Sequence, residues 1–351
     1  MVPPFKSLGD VRDLADYLVG GRVLTGTERR KKPVDSTALS IYRIARHRGG
    51  PLWSGVAEHV AAVTAARIET APDSGPVHDI WSGAETHVRY LNDAILLMAA
   101  HSEWMSGERW ARATARACEL LDNFTVDGPG GRWVLHDSLE RDAGRNDFVL
   151  NTHVQAVVAL LAAGRDVRAH IAATEAALSP RAGGATGLRA AAGLALFEQA
   201  RARGPRRYVR RHMVPAYTRA AEVCTRAHAF RLPGGWIARD LSGKRGPGRY
   251  LSVNLGDMAA LARSLETPPP GLERWLADGL GFARRSGFFR AELRDRAPMA
   301  ALIPAVLRLA GRDDHAAAAA ERARAAGLAP MIGWPGYEDR LWQLLGDGSP
   351  L

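Results

Sequence analysis

Residues 148–178, FVLNTHVQAVVALLAAGRDVRAHIAATEAAL, read as two Ala-rich helices, over 148–163 and 166–178, joined by a short loop. Alternating runs of β-branched residues are nearly absent here and in the rest of the chain, so strands are expected only as short hairpin-like pieces around Trp133 and Trp236. The helical pattern extends outward in both directions. Upstream it predicts helices at 7–20, 36–48, 54–70, 82–101 and 106–121. The fourth of these opens on a capping-box pattern, Ser82 to Glu85, and carries Val88, Leu91, Ile95 and Met98 as one apolar stripe. Downstream the predicted helices fall at 186–202, 208–228, 254–265, 270–285, 297–310, 313–326 and 336–345. Helices of this length joined by short loops indicate an all-α chain of stacked helical hairpins, an α/α toroid. Residues 1–80 are expected to form an N-terminal helical segment with a basic loop, packed on a toroid formed by 81–351.

Composition narrows the function classes. Of 351 residues, 46% are hydrophobic and 24% charged, a globular profile. The formal net charge is +10, yet Lys occurs only at positions 6, 31, 32 and 244, and the arginines are scattered. No RNA-binding signature, zinc-finger spacing or aromatic interleaving accompanies them, so nucleic acid is not an expected partner. The dense run from Arg29 to Lys32 reads as a solvated loop that offers a weak contact to anionic surfaces. Cys118 and Cys224 both sit in apolar helical contexts, which fits a reducing compartment and rules out a thiolate-built zinc site. With no signal-peptide pattern and no long apolar run, a cytoplasmic location is expected.

One internal repeat survives counting. Gly130-Gly131-Arg132-Trp133 is followed by Asp137 four residues after the Trp and by Asn151 eighteen after it, at a helix start. Gly234-Gly235-Trp236 is followed by Asp240 and Asn254 at the same two offsets. In a stacked array the two Trp-marked loops would return to one rim, where a site is expected.

Two polar clusters accompany the repeat. The first holds His136, Asp137, Glu140, Asn151, His153 and Gln155. Asn151 reads most simply as an N-cap, which would leave His153 in a first turn whose free N–H groups favour an anion. The second holds Glu85, His87, Arg89, Tyr90, Asn92 and Asp93, just after Trp81. Glu85 and Arg89 are spaced as a surface ion pair, and His87 and Tyr90 share a face. Arg249, Tyr250, Asn254 and Asp257 follow in the second repeat, and Trp334 with Tyr337 lies near the C-terminus. Dinucleotide, P-loop, serine-hydrolase and metalloprotease motifs are missing from the sequence, so neither a cofactor nor a metal is expected.

The series Trp-x3-Asp, then Asn-Thr-His-Val-Gln at a helix start in an Ala-rich array, resembles the α/α-toroid carbohydrate enzymes: uronyl C5-epimerase C-terminal domains, polysaccharide lyases and six-hairpin glycosidases. The resemblance covers residues 80–345 in architecture and 133–155 in motif. It implies a small-molecule or oligosaccharide substrate, acidic in the first two groups, held in a central groove by Trp81, Arg89, Tyr90, Trp133, His136, Asn151, Gln155, Trp236, Asn254, Trp334 and Tyr337. Proton abstraction next to a carboxylate would use His153 or His87 as base, Arg89 and Asn151 to neutralise the carboxylate, and Tyr250 as acid. Hydrolysis would use Asp137 and Asp240 as the carboxyl pair. The sequence leaves two other classes open: a cyclase with an aromatic-lined apolar cavity, and a non-catalytic helical-repeat binding protein.

Overall fold

The computed structural model describes residues 49–78, 85–128, 130–145, 148–178, 251–285, 288–289 and 303–325, parts of 38–46, and the backbone of 231–232 and 236–237. The described elements are α1 (Gly50–Glu69), α2 (Val88–Trp104), α3 (Glu108–Asp122), β1 (Thr125–Gly128), β2 (Gly131–Val134), α4 (Ser138–Asp142), α5 (Leu150–Ala162) and α6 (Arg168–Leu178). They continue with β3 (Arg231–Leu232), β4 (Trp236–Ile237), α7 (Leu251–Ser264), α8 (Pro270–Arg285), α9 (Ile303–Leu309) and α10 (Asp313–Ala325). The predicted helices at 7–20, 186–202, 208–228 and 336–345, and the Arg29–Lys32 run, lie outside the described residues.

The helices form two layers. α2 packs on α5, α5 on α7, and α7 on α9, giving an inner row, while α3, α6, α8 and α10 each cover the inner helix that precedes them. This is the layering of an α/α toroid, and the chain is all-α apart from its short hairpins. The sequences match the layers. Inner helix α5 buries almost every position from Leu150 to Leu160, as a helix surrounded by protein must. Outer helix α3 buries one stripe, Ala113, Ala117, Leu120 and Leu121, and leaves Glu108 and Arg112 in water as an i,i+4 pair. One core runs through α2, α3 and α5 to α8, and a second joins residues 38–45 to α1 and to Leu97, Met98 and Ala113.

Both Trp-marked segments are hairpins. β1 pairs antiparallel with β2, with Val126 opposite Trp133, and β3 pairs with β4, with Leu232 opposite Trp236. β2 packs on α5 and α6, and β4 packs on α7 and α8, so each hairpin meets an inner and outer helix pair in the same way. The paired glycines permit this approach. A Cβ on Gly131 would collide with the Ala169 carbonyl, and Gly130 has φ +78° with Ala176 pressed against it.

The predicted capping box does not open α2. That helix starts at Val88, and residues 85–87 stay extended because Glu85 pairs with His78 and 86–88 pair with 136–138 instead. Glu85 is fully buried, and Arg89 has another partner, so the expected surface ion pair between them is not formed. α5 starts at Leu150, two residues ahead of the start an Asn151 cap would set: Val149 occupies the cap position with no side-chain bond, and Asn151 is the second helical residue, not the N-cap.

Candidate functional site

The two polar clusters of the sequence come together because 86–88 and 136–138 are bridged by their backbones. The Val88 N–H donates to the His136 carbonyl at 3.0 Å, and the Ser138 N–H to the Thr86 carbonyl at 2.9 Å. The Thr86 N–H donates to Ser138 Oγ at 3.0 Å. Two further donors of the bridge are assigned to side chains: the His87 N–H goes to His78 Nδ1, and the His136 N–H to Glu140 Oε2 at 2.7 Å. Asp137 caps the short helix α4, accepting the Glu140 N–H at 2.8 Å.

This bridge fixes a group of rings at the N-terminal end of α2. The His87 ring lies 4.3 Å, edge-on, from His136 and 4.7 Å from Tyr90, one turn along the helix. His78 closes on the other side of Tyr90 at 5.7 Å. His136 Nδ1 meets Thr152 Oγ1 of α5 at 2.8 Å, which orients its imidazole from the next inner helix. His87 and His136 are 6% and 8% exposed, so the pair is enclosed but not sealed.

A second polar layer links the starts of α2, α5 and α7. Arg89 reaches across to α7 and grips Asp257 with two bonds, at 2.9 and 3.2 Å, while its Nη1 also donates to the Asn151 carbonyl at 3.1 Å. Burial pushes the Asp257 carboxyl up while the guanidinium opposes it, and Arg89 is held above its ordinary value despite its own burial. Gln155 donates to Asp93 Oδ1 at 2.8 Å, and Asn92 Nδ2 donates to the Thr152 carbonyl and to Gln155 Oε1. Asn92, Asp93, Asn151, Asn254 and Asp257 are all buried. A buried polar layer of this density, shared by three helices, is costly unless it is used.

Two expected site residues belong elsewhere. Trp133 is fully buried and stacks face to face on His153, with centroids 3.9 Å apart and planes 10° apart, so it fills the core and lines no groove. His153 is also fully buried. Its Nδ1 accepts the Val134 N–H at 3.1 Å, so the proton sits on Nε2, which faces the His170 carbonyl at 3.2 Å and Thr174 Oγ1 at 3.1 Å. Burial, reinforced by His170, drives its pKa down to about 3. An imidazole with both nitrogens engaged and so low a pKa is a poor base near neutrality, and the role expected for it fails on that ground.

The structure thus unites His87, Tyr90, His136, Asp137, Arg89, Asn151 and Gln155, with Asn254 on the adjoining helix. Trp81, Asp240, Tyr250, Trp334 and Tyr337 lie outside the described residues, as does the side chain of Trp236. Sequence reasoning gave no site role to Asn92, Asp93, Thr152, Asp257 or His78. A readable signal for Asp93 and Asp257 exists: the inner helices α2, α5 and α7 each carry polar residues three or four apart near their starts, Arg89 with Asp93, Asn151 with Gln155, and Asn254 with Asp257. Among the described residues no group of His, Cys, Asp and Glu is arranged to hold a metal, and no helix is long and apolar enough to cross a membrane.

No family model matches the chain, and no curated protein matches it. Among solved structures, one described as "Crystal structure of D-mannose isomerase" is similar with a TM-score of 0.34 and 11% identity, over 81% of this chain and 88% of that one. A likeness so loose carries neither fold nor activity to this chain, whose reading rests on its own residues.

Proposed function

We propose that this chain is an enzyme acting on a sugar at the N-terminal ends of α2, α5 and α7, by moving a proton on a carbon beside a carbonyl or carboxylate. The observation that carries this reading is the paired histidines, His87 and His136, set beside the buried polar layer of Arg89, Asn92, Asp93, Asn151, Gln155 and Asp257. Proton abstraction needs a neutral imidazole near the carbon and groups that receive charge on the adjacent oxygen. His87 is the base in this reading. The electron pair of the broken C–H bond moves onto the neighbouring oxygen, and His136, oriented by Thr152, is the second proton carrier. Arg89 is committed to Asp257 and the Asn151 carbonyl, so with Asp257 it acts as a dipolar ion pair that fixes the ends of α2, α5 and α7 around the site. That commitment leaves Arg89 a positioning role and argues against direct capture of a substrate carboxylate.

The competing classes fit less well. Asp137 is engaged as a helix cap, which weakens hydrolysis through a carboxyl pair. A cyclase cavity would call for aromatic lining, yet the described tryptophan side chains lie elsewhere: Trp53, Trp104 and Trp110 around the second core, Trp133 against His153, and Trp275 on an outer helix. A pure binding surface would leave the polar residues scattered and solvated, and here they are buried.

The test is proton exchange in D2O. Aldohexoses, ketohexoses and hexuronates are incubated with the protein and followed by proton NMR. The expected result is enzyme-dependent loss of signal at the carbon beside the carbonyl or carboxylate for at least one of them, reduced at least ~100-fold in His87→Gln. Exchange that persists in His87→Gln, or thermal stabilisation by apolar polycycles and by no sugar, removes the proposal.

A further inference from the structure

Two side-chain atoms in the polar layer serve no purpose in the fold. Asn92 Oδ1 and Asn151 Oδ1 are buried, on residues 0% and 4% exposed, and neither has a hydrogen-bond partner among the described residues. Their surroundings explain how each comes to be unused. Asn92 turns its amide nitrogen toward α5, where it meets the Thr152 carbonyl at 3.3 Å and Gln155 Oε1 at 3.4 Å, so its oxygen points away from that helix's acceptors. Asn151 sits two positions too late to cap α5, and it shares a helix face with Gln155, which is tied to Asp93 of α2. An apolar residue of the same shape would suit the fold better at position 151, because a buried acceptor left unmade is destabilising.

We infer that these two amide oxygens are ligand contacts and that the ligand supplies hydroxyl donors to both. Two neutral acceptors on adjacent inner helices call for neutral donors on one small frame, and a polyol offers them. The inference rests on the sugar-site reading and sharpens it: the substrate is recognised through at least two of its hydroxyls, by Asn92 and Asn151, independently of the group that reacts. These are specificity residues; neither is placed to take part in the proton transfer.

Alditols separate recognition from chemistry, since they keep the hydroxyls and lack the carbonyl. Binding of D-glucitol and D-mannitol is measured by calorimetric titration, and unfolding by thermal scan, for wild type, Asn151→Leu and Asn151→Asp. The wild type is expected to bind at least one alditol. Asn151→Leu is expected to melt no lower than wild type and to bind roughly tenfold more weakly or worse, while Asn151→Asp, which keeps an acceptor, binds within a few-fold. Unchanged binding in Asn151→Leu means a trapped water satisfied the oxygen and overturns the inference. So does a marked fall in its melting temperature, which would assign Asn151 to the fold, or failure of the wild type to bind any alditol. If alditol binding behaves as expected and no sugar exchanges deuterium, the recognition inference stands and the proton-transfer reading falls. Exchange with unchanged alditol binding gives the converse.

Discussion

His153 and His101 belong to the core, both fully buried, whereas His87 and His136 keep 6% and 8% of their surface exposed. His101 is fully buried among Tyr42, Trp104 and Trp110, neither ring nitrogen has a hydrogen-bond partner among the described residues, and burial with help from Arg46 brings its pKa down to about 4. His153 is driven down to about 3. Both folded values lie below the unfolded value of about 6.5, so the unfolded chain takes up protons first as pH falls. Their contribution to stability is therefore complete above about pH 6.5 and is lost as pH drops toward 4 and then 3. At about 1.4 kcal/mol per unit, His101 alone removes up to ~3 kcal/mol by pH 4. Urea unfolding at pH 8 and pH 4.5 should show His101→Phe losing markedly less stability on acidification than wild type, and an equal loss in the two would refute this cause. None of this was legible in the sequence. Position in a helix predicts that a histidine is half-buried or exposed, but not that a tryptophan from a hairpin twenty residues earlier in the chain will seal it, as Trp133 seals His153.

Elements carry the site by crossing between helices. The Arg89–Asp257 pair ties the first described inner helix to the third across 168 positions of sequence. Its side chains are 15% and 5% exposed, so removing one partner strands a charge in a poorly solvated place. Asp257→Ala is expected to cost about 3–5 kcal/mol in urea unfolding, whereas the double replacement Arg89→Met with Asp257→Leu recovers most of that loss. If the single and double variants are equally unstable, the pair is not what joins α2 to α7. The helices themselves were readable: 270–285 is found as expected, and 106–121, 148–163 and 166–178 shift by one or two residues. The start of α2 was missed by several residues, because Ser82 and Glu85 have the right types for a capping box while the backbone of 85–88 finds better partners in His78 and 136–138. Tertiary pairing outweighed a local signal there.

At the scale of the whole molecule, the Trp-marked repeat is a repeated way of packing. Each hairpin lies on an inner and outer helix pair, Trp133 belongs to the core, and the polar residues that follow it by eighteen positions are the ones near the inner row's polar layer. Counting offsets therefore led to the helices of the proposed site, although Trp133 itself belongs to the core. The two clusters at 85–93 and 136–155 were legible as polar and unusual, but their convergence depends on the 86–88 and 136–138 bridge, which no periodicity announces. The central claim is that this convergence, and no other part of the molecule, receives the sugar. It is tested most directly by titrating protein with 15N-labelled histidine side chains with the aldohexose, ketohexose or hexuronate that most raises its melting temperature. The imidazole resonances of His87 and His136 should shift with saturation while those of His101 and His153 stay fixed. Shifts confined to His101 or His153, or none at any histidine when binding is saturated, would contradict the claim.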